Sequence, residues 1–92
     1  MHNNSRQNNV DRLVGANISL IRRGAGFSTS YVARNIGESE LTLHAIESGV
    51  IRAGAERLLV LSKILGVLPS EFLRDRNRHD GRKLFITSVV RD

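Results

Sequence analysis

The chain has 92 residues, a net charge of +5 and no cysteine. This length allows one small domain, and the lack of cysteine excludes disulfides and thiolate metal sites. No apolar run approaches the roughly 20 residues that cross a bilayer, and the polar residues 1–9 lack the apolar core of a secretory signal, so we expect a soluble, cytoplasmic protein with no membrane partner.

The first predicted helix covers residues 10–23. Its apolar residues recur three and four positions apart, as on one face of an amphipathic helix, and the glycines at 24 and 26 end it. Residues 1–9 carry asparagine, glutamine and serine without periodicity, so we expect a disordered arm there.

The centre of the chain carries the most informative pattern, because two short amphipathic helices meet there at one glycine. Val32, Ala33 and Ile36 lie on one face of a helix predicted over residues 29–36. Gly37 follows at the position where a left-handed residue ends a helix at least cost.

The second helix of this pair is predicted over residues 40–48. Ser39 can cap its start, and Leu43 and Ile46 form its apolar face. The small side chain of Ala33 lets two steeply crossing helices approach closely. The pattern is typical of a helix-turn-helix, whose second helix is the usual probe of the DNA major groove.

Two further helices complete the predicted domain. One covers residues 55–65, and Pro69, at a first-turn position, opens a short fifth helix that runs through residue 73. The predicted core consists of Ile18, Ile21, Val32, Ala33, Ile36, Leu43, Ile46, Leu58, Leu61, Leu65 and Phe72.

Residues 75–92 differ in composition from the rest. A charged, turn-prone connector precedes residues 84–90, LFITSVV, which are rich in β-branched and aromatic residues and are predicted to form a strand. A single strand needs a partner, and the chain offers no second segment of similar quality. Three interpretations stay open: a disordered tail, a strand paired with the same segment of a second subunit, or a final helix.

Residues 15–73 resemble the Cro/phage-repressor helix-turn-helix family of xenobiotic-response-element-like transcriptional regulators. The motifs that carry the resemblance are GANISLIRRGAGFS, VARNIG, LTLHAIESG and LLVLSKILGVLPSEFL. The resemblance implies an all-α, five-helix, lambda-repressor-like DNA-binding domain over residues 10–74. Residues 75–92 hold the charged connector and the strand predicted over residues 84–90, which would serve dimerisation if it pairs with a second subunit. The resemblance further implies a sequence-specific repressor that inserts helix 3 into the major groove of double-stranded DNA as a homodimer.

The resemblance places base readout on the exposed positions in the first turns of helix 3. There Glu40 can accept from cytosine N4, Leu41 can pack on a thymine methyl, and His44 can donate to guanine. The helix offers neither arginine nor glutamine at these positions, which departs from the family's habit. The expected readers are Glu40, Leu41, Thr42, His44 and Ala45.

Phosphate contacts are expected from hydroxyls and cations around this helix. The net positive charge favours a polyanionic partner, yet between residues 28 and 51 one arginine stands against three glutamates. Thr29 stands where the family usually has a glutamine that holds a phosphate. Ser28 has two candidate roles, as a phosphate contact and as the cap of helix 2. The expected contacts are Ser28, Thr29, Arg34, Arg52 and Arg57.

The resemblance also implies a structural ion pair between Arg22, late in helix 1, and Glu47, near the end of helix 3. A bidentate pair of this kind would tie helix 1 to the recognition helix.

No enzyme activity, metal site or cofactor is expected. The glycines at 24 and 26 lack the preceding strand of a nucleotide-binding fold. The alternative interpretation is a protein-interaction module or antitoxin-like regulator on the same fold, with weak or no direct DNA reading. The acidic helix-turn-helix and the apolar Leu41 support it, and a protein antagonist stays open as a further partner.

Overall fold

The computed structural model describes residues 2–76, with side chains from residue 9 onward. Over these residues the chain is all-helical, with four α-helices and one 3-10 helix. The elements are α1 (His2–Gly24), α2 (Thr29–Asn35), α3 (Glu40–Glu47), α4 (Gly54–Leu65) and the 3-10 helix (Pro69–Leu73). The strand predicted over residues 84–90 lies outside the described residues.

Helix α1 begins at His2, eight residues before the predicted start at Val10. The described backbone of residues 2–9 continues the helix, so the predicted start of α1 at Val10 was too late. The disordered arm expected over residues 1–9 stays a prediction. The apolar spacing identified only the part of α1 that packs, where Val14 and Ile18 are buried. An α-helix satisfies its backbone hydrogen bonds locally, so it can extend beyond that part without a tertiary partner.

Serine caps define the starts of α2 and α3. Ser28 Oγ accepts a hydrogen bond from the backbone N–H of Tyr31 at 3.0 Å, and Ser39 Oγ accepts one from that of Thr42 at 3.0 Å. Each cap satisfies one of the backbone donors that a helix start leaves unpaired. Gly37, with φ of +74°, turns the chain between the two helices, at the position that the sequence predicts.

The core lies where α1, α2, α3, α4 and the 3-10 helix meet. Eight of the predicted core residues are buried, and Ile21, Ile36 and Leu58 are partly buried against them. Ala33 is only 2 % exposed, so the α2–α3 contact has no room for a longer side chain. The full set of buried hydrophobic residues is Val14, Ile18, Val32, Ala33, Leu43, Ile46, Ala53, Leu61, Leu65 and Phe72.

Two glycines allow α1 to approach the end of α3 closely. A Cβ added at Gly15 would lie 2.6 Å from the carbonyl oxygen of Glu47 and also against that of Ile46. Gly49 has φ of +82°, and a Cβ there would lie 2.7 Å from Arg12 Cα. The backbones of α1 and of the α3 C-terminus are thus in direct contact, which fixes the position of α3 on the domain.

The fifth predicted helix is a 3-10 helix of five residues and not an α-helix. The chain leaves it at Arg74 in an extended conformation, where Asn17 of α1 holds it. The Asn17 side-chain amide donates to the carbonyl oxygens of Phe72 at 2.9 Å and Arg74 at 2.8 Å, and its Oδ1 accepts from Arg76 at 2.8 Å. These hydrogen bonds satisfy carbonyl groups that a longer α-helix would have used itself, and short 3-10 segments are common in such positions.

Candidate nucleic-acid interface

Helix α3 divides into a buried and an outward face. Leu43 and Ile46 are buried in the core. At about 100° per residue, the opposite side carries Leu41, His44 and Ala45, of which Leu41 is 80 % exposed and His44 is exposed. Three of the five predicted base readers therefore share one outward surface.

The other two predicted readers, Glu40 and Thr42, flank this surface at the start of α3. Thr42 is half-buried, and its Oγ1 accepts a hydrogen bond from the Ser39 hydroxyl at 3.1 Å. Because this contact holds Thr42 at the helix cap, the side chain lies at the margin of the outward surface and not within it.

Thr29 and Glu40 contact each other across the turn between α2 and α3. The Thr29 hydroxyl donates to Glu40 Oε1 at 2.9 Å, whereas the sequence suggested that Thr29 would hold a phosphate. Glu40 Oε2 makes no hydrogen bond to any residue that the structure describes. The contact orients the carboxylate and leaves one oxygen to accept a hydrogen bond from outside.

Of the other predicted phosphate contacts, Ser28 and Arg57 are engaged within the protein. Ser28 Oγ caps α2. The guanidinium of Arg57 lies 2.9–3.0 Å from Glu38 Oε2 and also donates to the carbonyl oxygen of Ala53 at 3.3 Å. The acidic residues near α3 thus take up a cation that the sequence assigned to DNA.

Arg34 and Arg52 are held less firmly. Arg34 is exposed and makes a 3.4 Å contact with the hydroxyl of Ser30. Arg52 lies 3.4 Å from Asp11, and 59 % of its side chain is exposed. Exposed pairs of this kind contribute about 0–1 kcal/mol, so a phosphate group can compete with Asp11 for Arg52.

Arg22 and Glu47 form a bidentate ion pair between α1 and the end of α3. Arg22 Nε lies 2.7 Å from Glu47 Oε2 and Nη2 lies 3.1 Å from Oε1, with both side chains about nine-tenths buried. Arg22 Nη1 also donates to the carbonyl oxygen of Phe27 at 2.9 Å. One guanidinium thus links α1, the loop before α2 and the C-terminus of α3, and holds the outward face of α3 in place.

Sequence reasoning missed two exposed residues at the end of α3, Ser48 at its C-cap and Val50 in the turn that follows. Ser48 is exposed, and its hydroxyl donates to the carbonyl oxygens of His44 and Ala45. Val50 is 79 % exposed, and its backbone N–H donates to Ala45 O at 2.9 Å. An apolar residue that closely follows core residues in the sequence is expected to be buried. Val50 directly follows Gly49, where the chain turns with φ of +82°, and it is exposed.

A groove of about 410 Å³ lies between α1 and α4. Its lining is almost entirely apolar, and its charged members, Asp11 and Arg52, are paired with each other. Among residues 9–76, no group of three His, Cys, Asp or Glu side chains could hold a metal ion. No helix within the described residues is long and apolar enough to cross a membrane.

Comparison with known proteins gives a distant similarity to regulators. The chain is 33 % identical over 75 residues to an uncharacterized HTH-type transcriptional regulator of Sinorhizobium medicae, and equally to one of Rhizobium meliloti. In both cases the match covers 82 % of this chain and 54 % of the relative, so the chain spans about half the length of the curated relatives it matches.

No protein-family model matches the chain, and no solved structure matches it significantly. The two relatives are named as regulators and not as enzymes, in agreement with the expectation that the chain has no catalytic function. The narrower assignment to the Cro/phage-repressor type stays a prediction. The similarity and the all-helical fold together support a helix-turn-helix regulator family for this chain.

Proposed function

We propose that the chain is a sequence-specific DNA-binding transcriptional regulator that inserts α3 into the major groove as a homodimer. The observation that carries the proposal is the outward face of α3, with Leu41 and His44 exposed on a helix whose position is fixed by the Arg22–Glu47 pair. A helix held rigidly with one free face is what groove insertion requires. The names of the two relatives agree with it.

Base readout is assigned to Glu40, Leu41, His44 and Ala45, with Thr42 at the margin. Glu40 Oε2 can accept from an exocyclic amino group, and His44 can donate to a guanine acceptor. Ala45 is small enough to admit close approach of the helix backbone. The repressor assignment rests on the resemblance to the Cro/phage-repressor family.

Phosphate affinity is assigned mainly to Arg34 and Arg52, because their contacts within the protein are long and exposed. Arg57 contributes less, since it would have to leave Glu38. Thr29 acts through Glu40, whose carboxylate it orients, and Ser28 contributes through the start of α2 that it caps.

Binding of the purified full chain to random-sequence duplex DNA, followed by selection of the bound sequences, tests this function. We expect enrichment of a two-fold symmetric site with half-sites about one helical turn, ~34 Å, apart. Binding should weaken steeply with salt, because each phosphate contact contributes about −0.9 to the slope of log affinity against log salt. Absence of binding to any duplex at low salt would remove the proposal.

Three variants separate readout from phosphate contact. Glu40→Gln should change the preferred sequence, whereas Arg34→Gln should lower affinity on every sequence and reduce the salt slope by about 0.9. Lys63→Gln removes an exposed cation from the last turn of α4 and serves as the control, with little effect expected on either quantity. Equal loss on all sequences for Glu40→Gln would remove Glu40 from the readers.

A second candidate function is a protein-interaction module on the same fold, and one observation favours it. The outward face carries the apolar Leu41 with the acidic Glu40 beside it, and the apolar Val50 lies in the turn after the helix, a composition that also suits a protein partner such as an antagonist. A chain that binds no duplex at low salt, yet keeps its folded α3, would support this candidate.

A further inference from the structure

Three apolar residues lie on α3 or directly after it, and we call them the α3 strip: Leu41 and Ala45 on the outward face of the helix, and Val50 in the turn that follows it. Leu41 and Ala45 are one helical turn apart, and Val50 is joined to Ala45 by the backbone hydrogen bond from Val50 N–H to Ala45 O. Leu41 and Val50 have the highest exposed fractions of the large hydrophobic residues in the described chain, 80 % and 79 %.

Within the described residues, the α3 strip takes no part in the buried core. The apolar contact between α3 and the core is made by Leu43 and Ile46, both on the opposite side of the helix. A single exposed leucine is ordinary in a folded protein, but here two large apolar residues are exposed, Leu41 in the first turn of α3 and Val50 shortly after its end. Their exposure points to a ligand with apolar groups.

The polar groups beside the strip restrict that ligand further. Helix α3 carries no arginine, lysine, asparagine or glutamine, so it lacks the side chains that bind guanine or adenine through two hydrogen bonds. Glu40, with Oε1 held by Thr29, can only accept while it is ionised. In the major groove the thymine methyl group matches the apolar side chains, and the amino groups of cytosine and adenine match the carboxylate. Cytosine suits Glu40 better, because adenine also presents its N7 acceptor beside the amino group.

We propose that the α3 strip reads thymine methyl groups, so that the half-site carries thymines facing Leu41, Ala45 and Val50, next to a cytosine facing Glu40. This inference rests on the proposed function. Leu41 and Ala45 are separated by about 6 Å along the helix axis, from a rise of about 1.5 Å per residue. This distance spans about two base-pair steps of ~3.4 Å, so the strip covers neighbouring thymines.

The test compares thymine with deoxyuracil, which lacks the C5-methyl group but pairs identically. A duplex selected from the random pool by the full chain is remade with every thymine replaced by deoxyuracil, and then with single replacements along the half-site. Each contacted methyl should contribute about fourfold to affinity, as expected for burial of one such group. Replacements outside the half-site should have no effect.

Side-chain variants assign the methyl groups to the strip. Leu41→Ala should lower affinity for the thymine duplex and abolish the loss at the thymine that Leu41 covers, and Val50→Ala should do the same at the other end. Leu68→Ala is the matched control, because Leu68 is a comparably exposed leucine just before the 3-10 helix, which packs on α1 and α4. It should keep the full difference between the two duplexes.

The outcomes separate the two proposals. Equal affinity for the thymine and deoxyuracil duplexes, with sequence-selective binding retained, would overturn the α3 strip as a methyl reader and leave the DNA-binding function intact. A selected site without thymine in the half-site would overturn it in the same way. If no duplex is bound at low salt, the proposed function fails and this inference fails with it.

Discussion

Arg22 joins three parts of the chain through its guanidinium group, with hydrogen bonds to Glu47 and to the carbonyl oxygen of Phe27. Both side chains of the pair are largely buried, so removal of one leaves the other as an unpaired charge. We expect Arg22→Leu or Glu47→Leu alone to lower the free energy of unfolding by about 3–5 kcal/mol. The double variant should lose less than the sum of the two.

Denaturant unfolding of the four proteins measures this coupling. Strictly additive losses would show that the two side chains do not interact in solution. A double-mutant cycle on Arg74 and Glu71, an exposed pair at 3.5 Å, is the control and should give a coupling energy of about 0–1 kcal/mol.

Gly15 is a residue whose importance depends on backbone contact and not on conformation. Its added Cβ would meet the carbonyl oxygens at the end of α3, which cannot move unless α1 and α3 separate. We expect Gly15→Ala to destabilise the domain by about 1–3 kcal/mol, the usual cost of overpacking, in spite of the better helix propensity of alanine.

Gly24→Ala is the matched control for this prediction. Nothing lies within 4 Å of a Cβ added there, so the change should be neutral or stabilise α1 by at most about 1 kcal/mol. Thermal melts of both variants compare them directly, and equal melting temperatures would mean that α1 and α3 do not approach as closely as the structure shows.

At the scale of elements, the contact between α2 and α3 sets the geometry of the helix-turn-helix. Ala33 is buried there with almost no exposed surface. We expect Ala33→Leu to cost about 1–3 kcal/mol of stability through overpacking and to weaken DNA binding, because α3 must shift. Ala16→Leu, at an exposed position of α1, controls for the larger side chain. A melt of Ala33→Leu that matches wild type would count against the close α2–α3 crossing.

The elements that the sequence predicts well are those specified by local signals. The serine caps at Ser28 and Ser39 and the left-handed Gly37 act within a few residues of chain, so α2 and α3 are found almost at their observed ends. The start of α1 was wrong because residues 2–9 have no apolar periodicity. The fifth helix is a 3-10 helix whose end is held by Asn17, which bonds carbonyl groups 55 and 57 residues away, and no local pattern reports such contacts.

In the candidate site, too, the sequence predicts what local patterns determine and misses contacts between distant residues. Helical periodicity identifies Leu41 and His44 as outward residues, because the buried face of α3 is evident from Leu43 and Ile46. The pairing of Thr29 with Glu40 spans 11 residues and that of Arg57 with Glu38 spans 19. Such contacts depend on how α2, α3 and α4 are arranged, which the sequence does not report. For this reason, both Thr29 and Arg57 were predicted to contact phosphate.

At the scale of the whole molecule, much of the positive charge is already paired. Five arginines of the described chain, Arg22, Arg52, Arg57, Arg74 and Arg76, lie in ion pairs with acidic residues. Further cations, among them Arg82, Lys83 and Arg91, lie in the sequence beyond residue 76. The sequence of the C-terminal segment therefore contains both the apolar residues proposed for dimerisation and several cations, and an experiment must separate their contributions.

Deletion of residues 82–92 makes that separation possible, because hydrogen bonds among the described residues, from Asn17 to Phe72, Arg74 and Arg76, already hold the 3-10 helix on α1. The shortened chain should therefore fold, and we expect a monomer with much weaker binding to the two-fold site, since it loses the second recognition helix.

A full-length variant with Arg82→Gln, Lys83→Gln and Arg91→Gln keeps the apolar residues 84–90. This variant should remain a dimer and lose only salt-dependent affinity, by up to about 0.9 in slope for each cation that contacts phosphate. Sedimentation equilibrium and salt titrations of the three proteins distinguish these effects. A shortened chain that sediments as a dimer would place the dimer interface within residues 2–81 instead of residues 84–90.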